Sequence, residues 1–129
     1  MSKAWEKVRS RIIASCLYNG GGGKFIVVLA TTPQEETKRI VWATGLCNHV
    51  SLAEECGLRL EDFAEDVRLE VVGGGEVRGD LKTFTFYVWG ESPEYGREPE
   101  REKTVEEFDN YFLNWKAVGT PPSEGVFKY

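Results

Sequence analysis

The sequence predicts an α+β fold, with a four-stranded, mainly antiparallel sheet and helices packed on it in the order α-β-β-α-β-β-α. Two observations support this class. Runs of β-branched and aromatic residues alternate with segments whose apolar residues recur at helical spacing. Stretches rich in glycine, proline and charge separate them. The chain has 129 residues, the usual size of one domain, so we expect residues 1–129 to form a single domain.

The first predicted element is a helix from Ser2 to about Leu17. Its apolar residues recur at helical spacing and cover about half of the circumference, a wide stripe for a surface helix. Arg9 falls inside this apolar arc. We expect its guanidinium to reach solvent along its long stem or to meet an anion. The alternative is a strand over residues 11–18 that forms a hairpin with the next strand.

The middle of the chain is predicted to contain two strands and then short helices. Residues 25–31 and 38–44 are rich in β-branched residues, and we expect them to pair antiparallel. Ser51 is predicted to cap a short helix that Gly57 ends. A second short helix is predicted over residues 59–66.

The strongest strand signal lies at residues 81–89, where β-branched and aromatic residues are almost continuous. Both pleat faces can be buried, so we predict that this strand is central in the sheet. Residues 67–72 alternate with a period of two and should pair with it. The glycine-rich connection over residues 73–80 is predicted to be a mobile loop.

The C-terminal part is predicted to contain a loop, a helix and an arm. Residues 91–103 are polar and are expected to form a flexible surface loop. Thr104 and Glu107 form a capping-box pattern ahead of a helix that should reach Val118. Residues 119–129 follow as an extended arm, because two prolines stiffen the backbone. Phe127 and Tyr129 are expected to dock in a groove or on a sheet edge.

Composition and charge exclude several classes of protein. No apolar run approaches the roughly 20 residues that span a bilayer, and charged residues replace the apolar part of a secretory signal. The three cysteines show no disulfide spacing, so a cytoplasmic location is expected. The net charge is −5, with seven Lys/Arg against three Asp/Glu in residues 1–48. An acidic total disfavours binding to nucleic acid, and no membrane partner is expected.

Motifs for catalysis, metals or cofactors are weak. Lys24 follows four glycines, but a phosphate loop follows a strand and opens a helix, whereas here a helix is predicted before it and a strand after it. Cys47, His49 and Cys56 match no zinc signature. The spacing of these three residues therefore supports neither a zinc site nor a catalytic Cys/His pair. We predict no catalytic residue, no metal and no cofactor, and a protein that is not an enzyme is favoured.

The preferred function is a small intracellular binding or regulatory protein that acts by contact with a macromolecular partner, as a homo-oligomer. Three groups supply apolar contact surface for this function: the wide stripe of the predicted first helix, Leu113, which lies off the stripe of the last helix, and Phe127 and Tyr129 of the arm. The alternative is a binder of a small anionic, nucleotide-like ligand between protomers, with Arg9, Lys24, Arg78 and Trp89 as its candidate residues. A hydrolase or transferase that uses a carboxylate pair is the third hypothesis.

Overall fold

The computed structural model describes residues 3–13, 23–46, 48–61 and 66–123. Within these ranges no helix is both long and apolar enough to cross a membrane. The helices and strands in chain order are α1 (Lys3–Glu6), β1 (Arg11–Ile12), β2 (Gly23–Thr31), β3 (Thr37–Ala43), α2 (His49–Glu61), β4 (Arg68–Asp80), β5 (Thr85–Trp89), α3 (Arg101–Tyr111) and β6 (Lys116–Val118).

Among the described residues, six strands form one mixed sheet in the order β1-β3-β2-β4-β5-β6. The predicted antiparallel pairing of β2 with β3 is confirmed. Antiparallel pairs also join β2 to β4 and β4 to β5, whereas β1 and β6 pair parallel with their neighbours. The predicted four-stranded, mainly antiparallel sheet is therefore wrong. The two missing strands are short edge strands, and both come from segments that were predicted to be helical.

The N-terminal segment is not the predicted helix over residues 2–17. The helix α1 ends at Glu6, and β1 then pairs parallel with β3. The helix ends early because Trp5 and Ile12 are buried in clusters on opposite faces of the sheet. One continuous short helix cannot place its residues on both faces. The alternative of a strand that begins at residue 11 is closer, although its partner is β3 and not β2. Residues 14–22 lie outside the described part of the chain.

The predicted mobile loop over residues 73–80 is part of the long strand β4. Its glycines permit close backbone contact. A Cβ on Gly73 would lie 2.2 Å from the Glu98 amide nitrogen, and one on Gly74 would lie 2.3 Å from the Phe25 carbonyl oxygen. The neighbouring backbones therefore leave no room for a side chain, so here glycine is required by packing and does not mark a loop.

The strand predicted to be central over residues 81–89 is shorter and lies nearer the edge. Residues 81–84 form a turn in which Phe84 has a φ of 52°, and β5 begins at Thr85. In the part of the chain that the structure describes, only the three-residue strand β6 lies beyond it, while β2 and β4 occupy the middle of the sheet. This segment does form a strand, as its local propensity predicted, over Thr85–Trp89. Its position in the sheet depends on partners that are distant in sequence.

The helix α2 is one continuous helix of 13 residues, and not two short helices separated at Gly57. Its cap is Asn48, whose side-chain oxygen accepts a hydrogen bond of 2.8 Å from the Ser51 amide. The predicted cap, Ser51, lies inside the first turn. A single glycine inside a helix costs only about 1 kcal/mol, and the burial of Leu52 and Leu60 against the sheet outweighs that.

The last helix, α3, is shorter than the predicted helix over residues 104–118. It begins at Arg101 and ends at Tyr111, and Phe112 is extended. The chain then turns and adds β6 to the sheet edge, where the Lys116 amide donates to the Phe84 carbonyl oxygen. Thr104, the predicted cap, is buried in the helix.

Two apolar clusters cover the two faces of the sheet. We call the side on which α2 packs the α2 face and the opposite side the α3 face. The buried residues of the α2 face are Trp5, Val8, Ile26, Val28, Ala30, Ile40, Trp42, Leu52, Cys56 and Leu60. Those of the α3 face are Ile12, Phe25, Val27, Val41, Ala43, Val77, Phe86, Val88 and Phe108.

Candidate functional site

Three of the residues singled out in the sequence, Lys24, Arg78 and Trp89, lie on the same face of the sheet. Side chains alternate between the two faces of a strand. The sequence neighbours that belong to the α3-face cluster are Phe25, Val77 and Val88. Lys24, Arg78 and Trp89 therefore lie on the α2 face, and each is half-buried.

Strand register arranges these side chains in two rows. In the first row, Glu76 of β4 lies between Lys24 of β2 and Trp89 of β5. Arg78 and Tyr87 form the next row, about 7 Å further along the strands. The Lys24 Nζ and Glu76 Oε1 atoms are 3.8 Å apart, with side chains that are 34% and 44% exposed, so solvent screens this pair and its attraction is weak.

The start of α2 lies beside these rows. His49, its first residue, packs over β4, where a Cβ on Gly74 would lie 3.1 Å from the imidazole Cδ2. The His49 Nε2 atom is 2.9 Å from the Gly75 carbonyl oxygen. A carbonyl oxygen only accepts, so Nε2 carries the hydrogen. Because Gly74 precedes Glu76 by two residues, His49 lies about one pleat repeat, about 7 Å, from the row of Lys24.

Residues 92–96, which we call the Ser92 loop, also lie beside His49. Ser92 and Gly96 exchange two backbone hydrogen bonds, and the Gly74 amide donates to the Gly96 carbonyl oxygen over 3.0 Å. The loop is thus attached to β4 beside His49. The Ser92 hydroxyl donates to Glu94 Oε2 over 3.1 Å, and this oxygen is 3.7 Å from His49 Nδ1.

The predicted flexible loop over residues 91–103 therefore contains regular structure. The Ser92 loop is held by hydrogen bonds, and the last residues of the range form the first turn of α3. Arg101, the first residue of α3, forms a buried ion pair with Glu98, with 2.7 Å between Nε and Oε2. Whether the remaining residues are mobile in solution stays a prediction.

A second arginine, Arg39, is half-buried on the α3 face and has a structural role. Its Nη2 atom donates to the Thr104 hydroxyl over 2.6 Å and to the carbonyl oxygens of Pro99 and Glu100. Burial lowers the pKa of the Arg39 guanidinium, while nearby carboxylates, Glu98 foremost, oppose this effect. Arg39 therefore anchors the start of α3 to β3.

The other candidates from the sequence do not join this site. Arg9 is exposed and lines a shallow depression with Glu107 and Tyr111 of α3. Leu113 is 89% exposed in the turn between α3 and β6. Phe127 and Tyr129 lie outside the described residues.

The geometry gives no support to a metal or thiolate site. His49 and Cys56 are two turns apart on α2, about 10 Å along its axis, and Cys47 lies outside the described residues. Within the described ranges no three possible metal ligands come together. Burial raises the pKa of the Cys56 thiol to about 12, with a smaller contribution from Glu55, so this thiol stays protonated near neutral pH.

Sequence reasoning did not single out Glu76 and Glu94, which lie beside Lys24 and His49. Nothing in the local sequence distinguishes them from the other acidic residues, because their positions depend on strand register and on the attachment of the Ser92 loop to β4. The position of His49 had a usable signal. Asn48 is a favoured capping residue, and choosing it as the cap would have placed His49 at the start of the helix.

The family comparison covers all of the elements that build the site. The model of the Janus/Ocnus family (Ocnus) matches residues 11–116, from β1 to the first residue of β6. The chain belongs to the Janus/Ocnus family. No curated protein matches this Janus/Ocnus chain. Family membership does not contradict a small binding or regulatory protein, and it names no ligand or partner.

Proposed function

We propose that this Janus/Ocnus protein binds a small anionic ligand, of the phosphate or nucleotide type, on the α2 face of its sheet. One observation carries the proposal. Lys24, Arg78 and Trp89 come from three different strands and share one face, next to the first turn of α2.

The chemistry of this group suits an anion. Lysine supplies a compact positive charge, and the arginine guanidinium matches the geometry of a phosphate or carboxylate. The first turn of α2 adds the partial positive charge of a helix N-terminus. The ring of Trp89 offers a flat surface on which an aromatic ring, such as a nucleobase, could stack. Together these features favour a ligand that has a charged end and a flat end.

In the free protein Glu76 pairs with Lys24, and Glu94 lies beside His49. The Lys24–Glu76 pair is partly exposed, and such a pair contributes only about 0–1 kcal/mol. A doubly charged ligand can therefore replace Glu76 at small cost. We expect the ligand to compete with these carboxylates and not to enter an empty cationic pocket.

The proposal is tested by titrating inorganic phosphate and adenosine monophosphate into ¹⁵N-labelled protein and measuring amide shifts and dissociation constants. Lys24→Met and Arg78→Met should each weaken binding of both ligands by about tenfold, the size of one charge-assisted hydrogen bond. Trp89→Leu should weaken the nucleotide more than phosphate. Lys103→Met, on the exposed side of α3, is the matched control.

Two outcomes contradict the proposal. Either the methionine variants bind as well as the wild type, or the shifted amides lie away from β2, β4, β5 and the start of α2. We further propose that the ligand lies between two protomers. Native mass spectrometry of the same samples tests this, because a monomer that carries one ligand would refute it.

We propose, as a second function, contact with a macromolecular partner or with another copy of the chain. The observation that favours it is a group of exposed apolar side chains at one end of the sheet. The turns over residues 81–84 and 112–115 adjoin, since the Lys116 amide donates to the Phe84 carbonyl oxygen over 3.0 Å. Leu81 and Phe84 are each 48% exposed, and Leu113 is 89% exposed.

The other two groups proposed as contact surface give this hypothesis no support. The apolar residues of the predicted first helix are not available to a partner, because Trp5 and Val8 are buried in the protein's own core. The expected docking arm includes residues 124–129, which lie outside the described part. Leu113→Ser and removal of residues 123–129 should each reduce the native mass if the protein self-associates through these groups. An unchanged mass and melting temperature in both variants would contradict this hypothesis.

The hypothesis of a hydrolase with a carboxylate pair gains no support. The two buried carboxylates among the described residues are Asp80 and Glu98. Asp80 accepts from the Lys82 amide and the Thr83 hydroxyl, and Glu98 pairs with Arg101. Both therefore have structural partners.

A further inference from the structure

We propose that Glu94 is an internal competitor for the anionic ligand, an autoinhibitory contact that a ligand must displace. This inference rests on the proposed anion-binding function and adds a regulatory element to it. Its basis is the position of the Glu94 carboxylate, whose Oε2 atom lies 3.7 Å from Nδ1 of His49 at the start of α2. A negative group of the protein thus lies beside the N-terminus of α2, whose partial positive charge would favour a ligand anion.

The Glu94 carboxylate is held in this position by its own loop. The Ser92 hydroxyl donates to Glu94 Oε2, and Ser92 Oγ accepts from the Glu94 amide over 3.2 Å. The Ser92 loop is attached to β4 through the hydrogen bond from Gly74 to Gly96. Ser92 is buried, whereas the side chain of Glu94 is 43% exposed. The base of the loop is therefore fixed, while the carboxylate itself borders solvent.

The contact is weak enough to be displaced. The His49–Glu94 distance exceeds that of a direct hydrogen bond, and the partly exposed carboxylate can be hydrated when it leaves. A Cβ on Gly96 would meet no atom within 4 Å, so there is open space beside this end of the loop. Rotation of the Glu94 side chain towards solvent would move its negative charge away from the start of α2. The backbone hydrogen bonds that attach the loop to β4 would stay intact.

The inhibition is electrostatic. Within this face Lys24 and Arg78 attract an anion, while Glu76 and Glu94 repel it. Glu76 is paired with Lys24, but Glu94 lies at the helix start. Removing one negative charge that lies close to a dianion in a largely hydrated site should strengthen binding by about three- to tenfold.

The test compares inorganic phosphate binding to the wild type, Glu94→Gln and Glu106→Gln at low ionic strength. Glutamine keeps an oxygen that can accept from the Ser92 hydroxyl, so the Ser92 loop should be preserved. Glu106 is exposed on α3, and its variant has the same net charge as Glu94→Gln. We expect Glu94→Gln to bind phosphate about three- to tenfold more tightly than the wild type, and Glu106→Gln to stay within about twofold of it.

The chain has one histidine, so its imidazole resonances report on the contact directly. If phosphate displaces Glu94, saturating phosphate should move the His49 resonances of the wild type but change those of Glu94→Gln less. Equal phosphate affinity of the wild type and Glu94→Gln would overturn the inference and leave the proposed function intact. Absence of phosphate binding to all three proteins would overturn both.

Discussion

Arg101 and Glu98 form a bidentate ion pair in the interior of the protein. Arg101 Nε is 2.7 Å from Glu98 Oε2, and Arg101 Nη2 is 2.8 Å from Oε1. The same guanidinium donates to the backbone carbonyl oxygens of Gly74 and Gly90. It therefore connects the start of α3 to the glycine stretch of β4 and to the end of β5, which carry the proposed site on the other face of the sheet.

Replacing Arg101 by methionine should be strongly destabilising. Glu98 is fully buried, and removing one partner of a buried ion pair leaves an uncompensated charge. We expect Arg101→Met to lower the free energy of unfolding by about 3–5 kcal/mol, measured by urea denaturation. The control is Lys103→Met, which breaks the exposed pair with Glu100 and should change stability by less than about 1 kcal/mol. Equal effects of the two substitutions would show that the Arg101–Glu98 pair does not stabilise the fold.

Alanine should have opposite effects at two glycines. In Gly73→Ala the new Cβ would lie 2.2 Å from a backbone nitrogen, so β4 or the Glu98 segment must move. In Gly57→Ala, inside α2, the Cβ would lie 3.5 Å from Leu69 Cδ1, an ordinary contact. We expect Gly57→Ala to raise the free energy of unfolding by up to about 1 kcal/mol, and Gly73→Ala to lower it by more than about 2 kcal/mol.

The melting temperatures of both alanine variants check these directions. A Gly73→Ala protein as stable as the wild type would mean that the close approach of β4 to Glu98 does not exist in solution.

Cys56 should contribute a loss of stability at alkaline pH. Burial raises the pKa of its thiol to about 12 in the folded protein, whereas an unfolded cysteine has a pKa of about 8.5. Above about pH 8.5 the unfolded chain therefore loses this proton and the folded chain keeps it. The stabilisation by the protonated thiol is complete below that pH and is lost as the pH rises towards about 12, by at most about 1.4 kcal/mol per pH unit.

Urea denaturation of the wild type and Cys56→Ala in reducing buffer, at pH 8 and at pH 10.5, measures this effect. The variant should be less stable at pH 8, because it has a cavity, but it should lose less stability on going to pH 10.5. Other groups that titrate at alkaline pH are common to both proteins and cancel in the comparison. Parallel losses in the two proteins would contradict the prediction.

Local sequence was a good guide where backbone propensity and burial agree. The apolar, β-branched segments that form β2 and β3 were located to within two residues, and their antiparallel pairing followed from the short connection between them. Lys24, Arg78 and Trp89 were selected for their chemistry. Their assembly on one face was not predictable, because an error of one residue in strand register moves a side chain to the other face.

Local sequence is enough to show that this chain alternates strand-forming and helix-forming segments. The arrangement of these segments follows from contacts between residues that are distant in sequence. The glycines of β4 resemble a loop until neighbouring backbones pack against them, and β1 and β6 are strands because longer strands offer them an edge. Glu94 lies beside His49 because the Ser92 loop bonds to β4. In each case local propensities amount to about 1 kcal/mol or less per residue, and contacts between distant segments outweigh them.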